Sequence, residues 1–136
     1  MSFKYNFSFD LWITAVPGRT SPPEKNIVRE IMIWLDYKKF ELPSNWYVKK
    51  IKISGETYKF YKVKNLTTEL YTRDYFAFLK EKPEYKGDTK IHEFIKYLVD
   101  KKYITNKEYL ANIDLGNEIL YGSGEVILKK YIISIK

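Results

Sequence analysis

Residues 5–13 read Tyr-Asn-Phe-Ser-Phe-Asp-Leu-Trp-Ile, and the spacing of the apolar side chains in this stretch indicates the class of fold. The odd-numbered positions are all apolar or aromatic, whereas the even-numbered positions are polar except for Trp12. Successive side chains of a β-strand point to opposite faces of a sheet, so this period of two predicts a strand with one packed face and one polar face.

The same period continues through most of the chain and predicts an all-β fold. Further strands are expected at residues 27–36, 47–54, 57–64, 75–79, 109–119 and 125–135. Gly55-Glu56 is expected to form a tight hairpin turn between two of these strands. A chain of 136 residues has room for one domain. About seven strands with one helix predict a β-sandwich of the jelly-roll type.

One segment has a different period. Apolar residues recur at helical spacing at Ile91, Phe94, Ile95 and Leu98. Asp88 or Thr89 is the expected N-cap, and the cations of Lys101-Lys102 suit a helix C-terminus. The sequence therefore predicts one short helix.

Composition excludes several classes of protein. Hydrophobic residues make up 45% of the chain and charged residues 30%, which excludes wholesale disorder. The 13 Tyr, 8 Phe and 3 Trp favour β-structure and flat binding surfaces. The absence of cysteine excludes disulfides, thiolate metal sites and a cysteine nucleophile. No apolar stretch is long enough for a membrane span, and no apolar segment follows the first residues as a signal peptide requires.

The formal net charge of +7 comes mostly from lysines that are scattered among acidic residues. This distribution favours a solvated basic surface over a nucleic-acid site. A nucleic-acid-binding β-module remains a less favoured alternative, because it would use both the positive charge and the aromatic residues.

Two glutamates occupy unusual strand positions. Glu30 alternates with Met32 and Trp34, and Glu118 lies on the polar face of the strand at 109–119. Glycoside hydrolysis requires two carboxyl groups that face one cleft, one to attack the anomeric carbon and one to protonate the leaving oxygen. Their pKa values must differ, so that one group is charged and the other neutral at the working pH.

Three blocks carry a resemblance to a known family. They are Asn-Phe-Ser-Phe-Asp-Leu-Trp at 6–12, Glu-Ile-Met-Ile-Trp-Leu at 30–35, and Gly116-Asn117-Glu118 followed by Gly122-Ser123-Gly124. They resemble the N-x-S-Y-D-L, E-[IL]-M-[IV]-W-L and G-T-E-P-F-x-G-S-G motifs of glycoside hydrolase family 12, the small endo-β-1,4-glucanases. The resemblance extends from residue 6 to residue 135. It implies a concanavalin-like jelly-roll that hydrolyses internal β-1,4 bonds of cellulose or mixed-linkage β-glucan with retention of configuration.

The resemblance also implies roles for individual residues. Glu30 would be the nucleophile, and Glu118 would be the general acid and later the general base. Asp10 would hydrogen-bond or polarise Glu30, and no metal or cofactor would be needed. The residues expected to bind substrate are Asp10, Trp12, Met32 and Trp34. In the third block Ile119-Leu120 replaces the family's Pro-Phe, so the surroundings of the proposed acid differ.

Part of the family domain is missing from the sequence. The strand at 5–13 resembles one near the middle of that domain, so residues 1–136 are expected to form a single partial domain, roughly its C-terminal three-fifths. Without the N-terminal strands, open sheet edges would invite a second copy of the chain or a complementing chain. The resemblance implies extracellular action. The main alternative is a catalytically silent carbohydrate-binding derivative of the same domain.

Overall fold

The computed structural model describes residues 4–17, 27–68, 72–83 and 88–121. Their strands are β1 (Lys4–Thr14), β2 (Ile27–Lys38), β3 (Tyr47–Ile53), β4 (Glu56–Thr67), β5 (Thr72–Lys80) and β6 (Tyr109–Tyr121). The helix α1 covers Ile91–Asp100, and a single 3-10 turn covers Ser44–Trp46. The all-β prediction with one short helix is confirmed over these ranges. The strand expected at 125–135 lies outside them.

The described strands form one six-stranded sheet in the order β3-β4-β5-β2-β1-β6. All neighbouring strands are antiparallel except β2 and β5, which are parallel. The central strands β1, β2 and β5 are therefore covered by neighbours on both edges.

One side of the sheet, called here the helix face, packs against α1. Phe94 and Leu98 of the helix are buried among strand residues of this face. The ring of Phe94 contacts Phe78 and Tyr58 edge-on, each at a centroid distance of 5.0 Å. The segment with apolar residues at helical spacing thus forms a helix, because the sheet buries the apolar side of that helix.

Two local predictions are wrong. The N-cap of α1 is Lys90, one or two residues beyond the expected positions, and it makes no side-chain cap because a lysine ammonium cannot accept a hydrogen bond from a backbone N–H. The hairpin turn is Ser54-Gly55, with φ values of 53° and 82°, and Glu56 is the first residue of β4. Two consecutive positive φ values match the twist of a two-residue hairpin loop, which shifts the turn by one residue.

The opposite side, called here the carboxylate face, is divided into two parts. One part is an aromatic cluster built on Met32, Trp34, Tyr75, Ala77 and Leu79. The other part is polar although it is buried, and its buried members are Asn6, Ser8, Glu30 and Arg73. Buried polar groups of this kind require partners, so this part of the face is the candidate site.

Candidate active site

Strand register places the three predicted acidic residues on the carboxylate face. Asp10 of β1 lies opposite Met32 of β2 and opposite Asp114 of β6. Glu30 comes two residues before Met32 on β2 and lies opposite Trp12, and Glu118 lies opposite Asn6. Because cross-strand partners share a face, the strand order β2-β1-β6 brings Glu30, Asp10 and Glu118 to one surface.

Glu30 is 5% exposed and is held by an arginine from the neighbouring strand β5. Nε and Nη2 of Arg73 both donate to Oε1 of Glu30, at 3.1 and 2.8 Å. Nη1 of Arg73 donates to the Leu66 carbonyl and to the Thr68 hydroxyl, each at 3.2 Å. A buried carboxylate is thereby matched by a buried cation that is itself hydrogen-bonded on its other side.

A bulge in β4 makes this arrangement possible. The β4–β5 register shifts between Val63 and Leu66, and Asn65 in the bulge has a φ of 54°. The Asn65 backbone N–H donates to Oδ1 of Asp74 at 3.0 Å, which fixes the bulge to β5. The shift brings Leu66 opposite Arg73, so its carbonyl is available to the guanidinium.

Asp10 is hydrogen-bonded to Glu30 in a largely buried position. Burial raises the pKa of Asp10 to about 10, assisted by the charge of Glu30, the hydrogen bond to Glu30, and the charges of Glu118 and Asp114. Asp10 is therefore protonated at neutral pH and donates its proton to the Glu30 carboxylate.

Glu118 lies in a different environment from Glu30. It is exposed, and its Oε1 accepts a hydrogen bond of 3.4 Å from Nδ2 of Asn6. The amide of Asn6 is oriented in turn by the Ser8 hydroxyl, which donates to Asn6 Oδ1 at 3.1 Å. Asn6 and Ser8 are buried, so they present a fixed donor to a carboxyl group that water can reach.

The aromatic residues lie at different depths. Tyr75 is 5% exposed and donates to Sδ of Met32 at 3.1 Å. Burial, with the charges of Glu30, Asp10 and Glu118, holds the Tyr75 pKa well above its usual value, so its hydroxyl keeps its proton. Trp34 is 1% exposed, with its ring edge-on to Phe40 at 5.0 Å. Met32 and Trp34 are therefore buried within the carboxylate face, whereas Trp12 is only half-buried.

The structure brings together Asp10, Glu30 and Glu118, and it adds four residues that sequence reasoning missed: Asn6, Ser8, Arg73 and Tyr75. The period of two would have placed Arg73 on the same face as Tyr75, and Asn6 and Ser8 on the face of Asp10. The pattern does not show that β2 pairs with β5 in parallel, and this pairing is what brings Arg73 next to Glu30.

The sequence model of glycosyl hydrolase family 12 matches residues 1–136. The chain belongs to glycosyl hydrolase family 12. The resemblance inferred from the three sequence blocks is thus confirmed. Members of this family act on β-glucan polysaccharides and are typically secreted. No curated protein sequence matches the chain at a significant level.

Solved structures of family 12 share the fold of this chain. A xyloglucanase from Bacillus licheniformis has a TM-score of 0.73 at 24% sequence identity, covering 86% of this chain and 50% of that chain. An endoglucanase from Rhodothermus marinus has a TM-score of 0.67 at 21% identity, covering 87% and 49%. Endoglucanase 3 from Trichoderma harzianum has a TM-score of 0.67 at 21% identity, covering 88% and 50%. These likenesses confirm the jelly-roll fold.

The family 12 chain spans about half the length of the solved structures that it matches. Within the described ranges, no helix is long and apolar enough to cross a membrane.

Proposed function

We propose that the chain provides the carboxylate pair of an endo-β-1,4-glucanase that hydrolyses cellulose or mixed-linkage β-glucan with retention of configuration. The observation that carries the proposal is the unequal environment of two glutamates on one face. Glu30 is buried and ion-paired with Arg73, whereas Glu118 is exposed and held by Asn6. Retaining glycosidases use a charged nucleophile and a second carboxyl group as proton donor, and the ion pair of Glu30 with Arg73 suits the nucleophile.

Each carboxyl group has a defined task in the proposed reaction. Glu30 attacks the anomeric carbon while Glu118 gives its proton to the glycosidic oxygen, which breaks the bond and leaves a glycosyl ester on Glu30. Glu118 then removes a proton from water, and the resulting attack releases the sugar and restores the Glu30 carboxylate. Asp10 holds Glu30 by a hydrogen bond in its resting state. The exposure of Glu118 suits a group that exchanges protons with incoming water.

Substrate contact is proposed for the open part of the carboxylate face. Trp12 lies opposite Glu30 and is half-buried, and an aromatic ring beside the reacting carboxyl group is suited to contact a sugar. Met32 and Trp34 are buried, so we expect them to contribute to binding indirectly, by supporting the neighbouring side chains of the carboxylate face.

Turnover on soluble glucans tests this proposal. Wild-type chain is expected to release reducing sugar from barley β-glucan and carboxymethylcellulose, and Glu30→Gln and Glu118→Gln are each expected to abolish release. Glu56→Gln, an exposed glutamate at the start of β4, is the matched control and keeps the wild-type rate. The first product seen by proton NMR is the β-anomer. An α-anomer, or full activity in Glu30→Gln, contradicts the proposal.

A silent carbohydrate-binding function is the second candidate. It would use the half-buried Trp12 on the carboxylate face to bind the polysaccharide, without turnover by the carboxyl groups. It predicts retention on insoluble cellulose with no release of sugar, and equal retention of Glu30→Gln. A nucleic-acid site is disfavoured, because Asp10, Glu30, Asp114 and Glu118 share the face that would have to accept phosphates.

Two further expectations stay predictions. A second copy of the chain or a complementing chain is proposed to cover open apolar surface, of which Tyr109 and Leu110 of β6 are exposed examples at 45% and 42%. Light scattering of the purified chain measures its oligomeric state. Extracellular action is proposed because polymeric glucans do not enter cells.

A further inference from the structure

Two carboxyl groups in contact and away from water hold one proton between them, because two adjacent buried negative charges repel strongly. Asp10 and Glu30 are such a pair, joined by a side-chain hydrogen bond across β1 and β2. Which of them carries the charge decides which can act as a nucleophile. The neighbours of the pair, not the carboxyl groups themselves, must make that choice.

We propose that Arg73 is a positioning residue that selects Glu30, rather than Asp10, as the charged member of the buried carboxyl pair. Its catalytic consequence rests on the proposed function of Glu30 as the nucleophile. The position of the proton in the pair does not depend on that proposed function.

The guanidinium contacts Glu30 and is prevented from turning away. Nε and Nη2 both bind Oε1 of Glu30, and Nη1 is fixed by the Leu66 carbonyl and Thr68. With side-chain exposures of 8% for Arg73 and 6% for Glu30, little water is present to weaken the attraction. The positive charge of Arg73 therefore stabilises a negative charge on Glu30.

The other charged groups act in the same direction. On the β6 side, the charge of Asp114, and that of Glu118 whenever it has given up its proton, disfavours a second negative charge at Asp10. From β5, besides Arg73, Tyr75 lies near the pair as a neutral phenol. A cation on the Glu30 side and anions on the Asp10 side together place the proton on Asp10 and the negative charge on Glu30.

Arg73 is also too deeply buried to contact a sugar. Its loss is thus expected to lower kcat while leaving KM nearly unchanged, since the nucleophile loses its charge and its fixed position but the binding surface stays intact. Misplacement of a reacting group lowers rates by about 10²-fold, which is the expected loss in Arg73→Gln. Arg73→Lys keeps the charge and is expected to restore part of the rate.

Carbon-13 NMR of the chain, labelled at the side-chain carboxyl carbons of Asp and Glu, locates the proton directly. In the wild type at pH 7 a protonated Asp carboxyl is expected, which disappears in Asp10→Asn, and Glu30 is expected to be ionised. In Arg73→Gln a protonated Glu carboxyl appears, and it is lost again when Glu30→Gln is added. Arg73→Lys keeps the wild-type pattern.

Arg29→Met is the matched control, because Arg29 pairs with Asp74 on the helix face of the same two strands. It is expected to leave the proton on Asp10. If Arg73→Gln fails to fold, Arg73→Met is measured in its place with the same expected result. A protonated Glu30 in the wild type, or an Arg73→Gln spectrum without a protonated Glu, overturns the proposal. Absence of glucan hydrolysis by the wild type defeats the proposed function instead, and the spectra still decide the proton position.

Discussion

Strands β2 and β5 carry two ion pairs, one on each side of the sheet, with the charges in opposite order. On the carboxylate face Glu30 of β2 pairs with Arg73 of β5, and on the helix face Arg29 of β2 pairs with Asp74 of β5. The pairs use consecutive residues on both strands. Swapped charges on the two faces favour a single register for the parallel pairing, because a shift by one residue would place like charges together.

The two pairs differ in their surroundings. The side chains of Glu30 and Arg73 are 6% and 8% exposed, and Glu30 touches the protonated Asp10. The side chains of Arg29 and Asp74 are 23% and 18% exposed, and Arg29 also contacts Glu108 at 3.3 Å. On the helix face, the arginine–carboxylate pair thus favours one strand register. On the carboxylate face, a pair of the same kind places a cation next to Glu30 and its carboxyl neighbours. Burial and neighbours, not the ion pair alone, distinguish the two.

Removing the arginine of each ion pair is expected to have its largest effect on the free energy of unfolding. Arg73→Met leaves the Glu30 carboxylate buried without its cation and is expected to cost about 3–5 kcal/mol of unfolding free energy. Arg29→Met removes a partly exposed pair and is expected to cost about 1 kcal/mol. Urea denaturation of both variants at one pH measures the difference.

A double variant sharpens the same test. Glu30→Met with Arg73→Met removes both charges, and it is expected to recover most of the stability lost in Arg73→Met, because no unpaired buried charge remains. Equal losses in Arg73→Met and Arg29→Met would mean that the two faces are energetically equivalent.

A second effect is the pH dependence of stability at Asp10. Its pKa is raised to about 10 in the folded chain, so the folded state binds a proton that the unfolded state releases above its ordinary pKa near 3.8. The stabilisation by this proton is fully present below the unfolded pKa and is lost as pH rises through the folded pKa. The slope is at most about 1.4 kcal/mol per pH unit.

Asp10→Asn removes that slope. The variant is expected to gain stability relative to the wild type as pH rises from 5 to 9, measured by urea denaturation at each pH. Ile13→Val, on the same strand but on the helix face, is the control, and its difference from the wild type stays constant with pH. A pH-independent Asp10→Asn difference would mean that Asp10 is ionised in the folded chain.

The strands were predictable from sequence because their apolar residues alternate, and α1 because its apolar residues recur at helical spacing. Alternation singled out Glu30 and Glu118 by their strand faces, and the family motifs supplied their expected roles as nucleophile and acid/base. The local ends were less predictable. Ser54 continues the alternation of β3, yet its positive φ places it in the turn.

The partners of the site residues were not predictable. Arg73 is 43 residues from Glu30 along the chain, and their contact depends on a parallel strand pair and on a bulge in β4. Asn6 and Glu118 are separated by 112 residues. Period-two patterns assign a side chain to a face, but they contain no information about which strand lies next to which.

The smallest expected effect lies at the end of α1, on the helix face and away from the carboxyl groups. Lys90 occupies the N-cap without a side-chain hydrogen bond. Lys90→Asp places a side-chain acceptor at the N-cap and a negative charge at the positive end of the helix dipole. The expected gain is about 0.5–1 kcal/mol of unfolding free energy, seen as a higher denaturation midpoint. Lys90→Ala is the control, and it is expected to show no such gain.

Glucan hydrolysis by Lys90→Asp is expected to equal that of the wild type, because the helix stabilises the sheet from the face opposite Glu30. A stabilised variant with altered turnover would show that the two faces are coupled through the sheet, and the separation of a structural face from a chemical face would then be wrong.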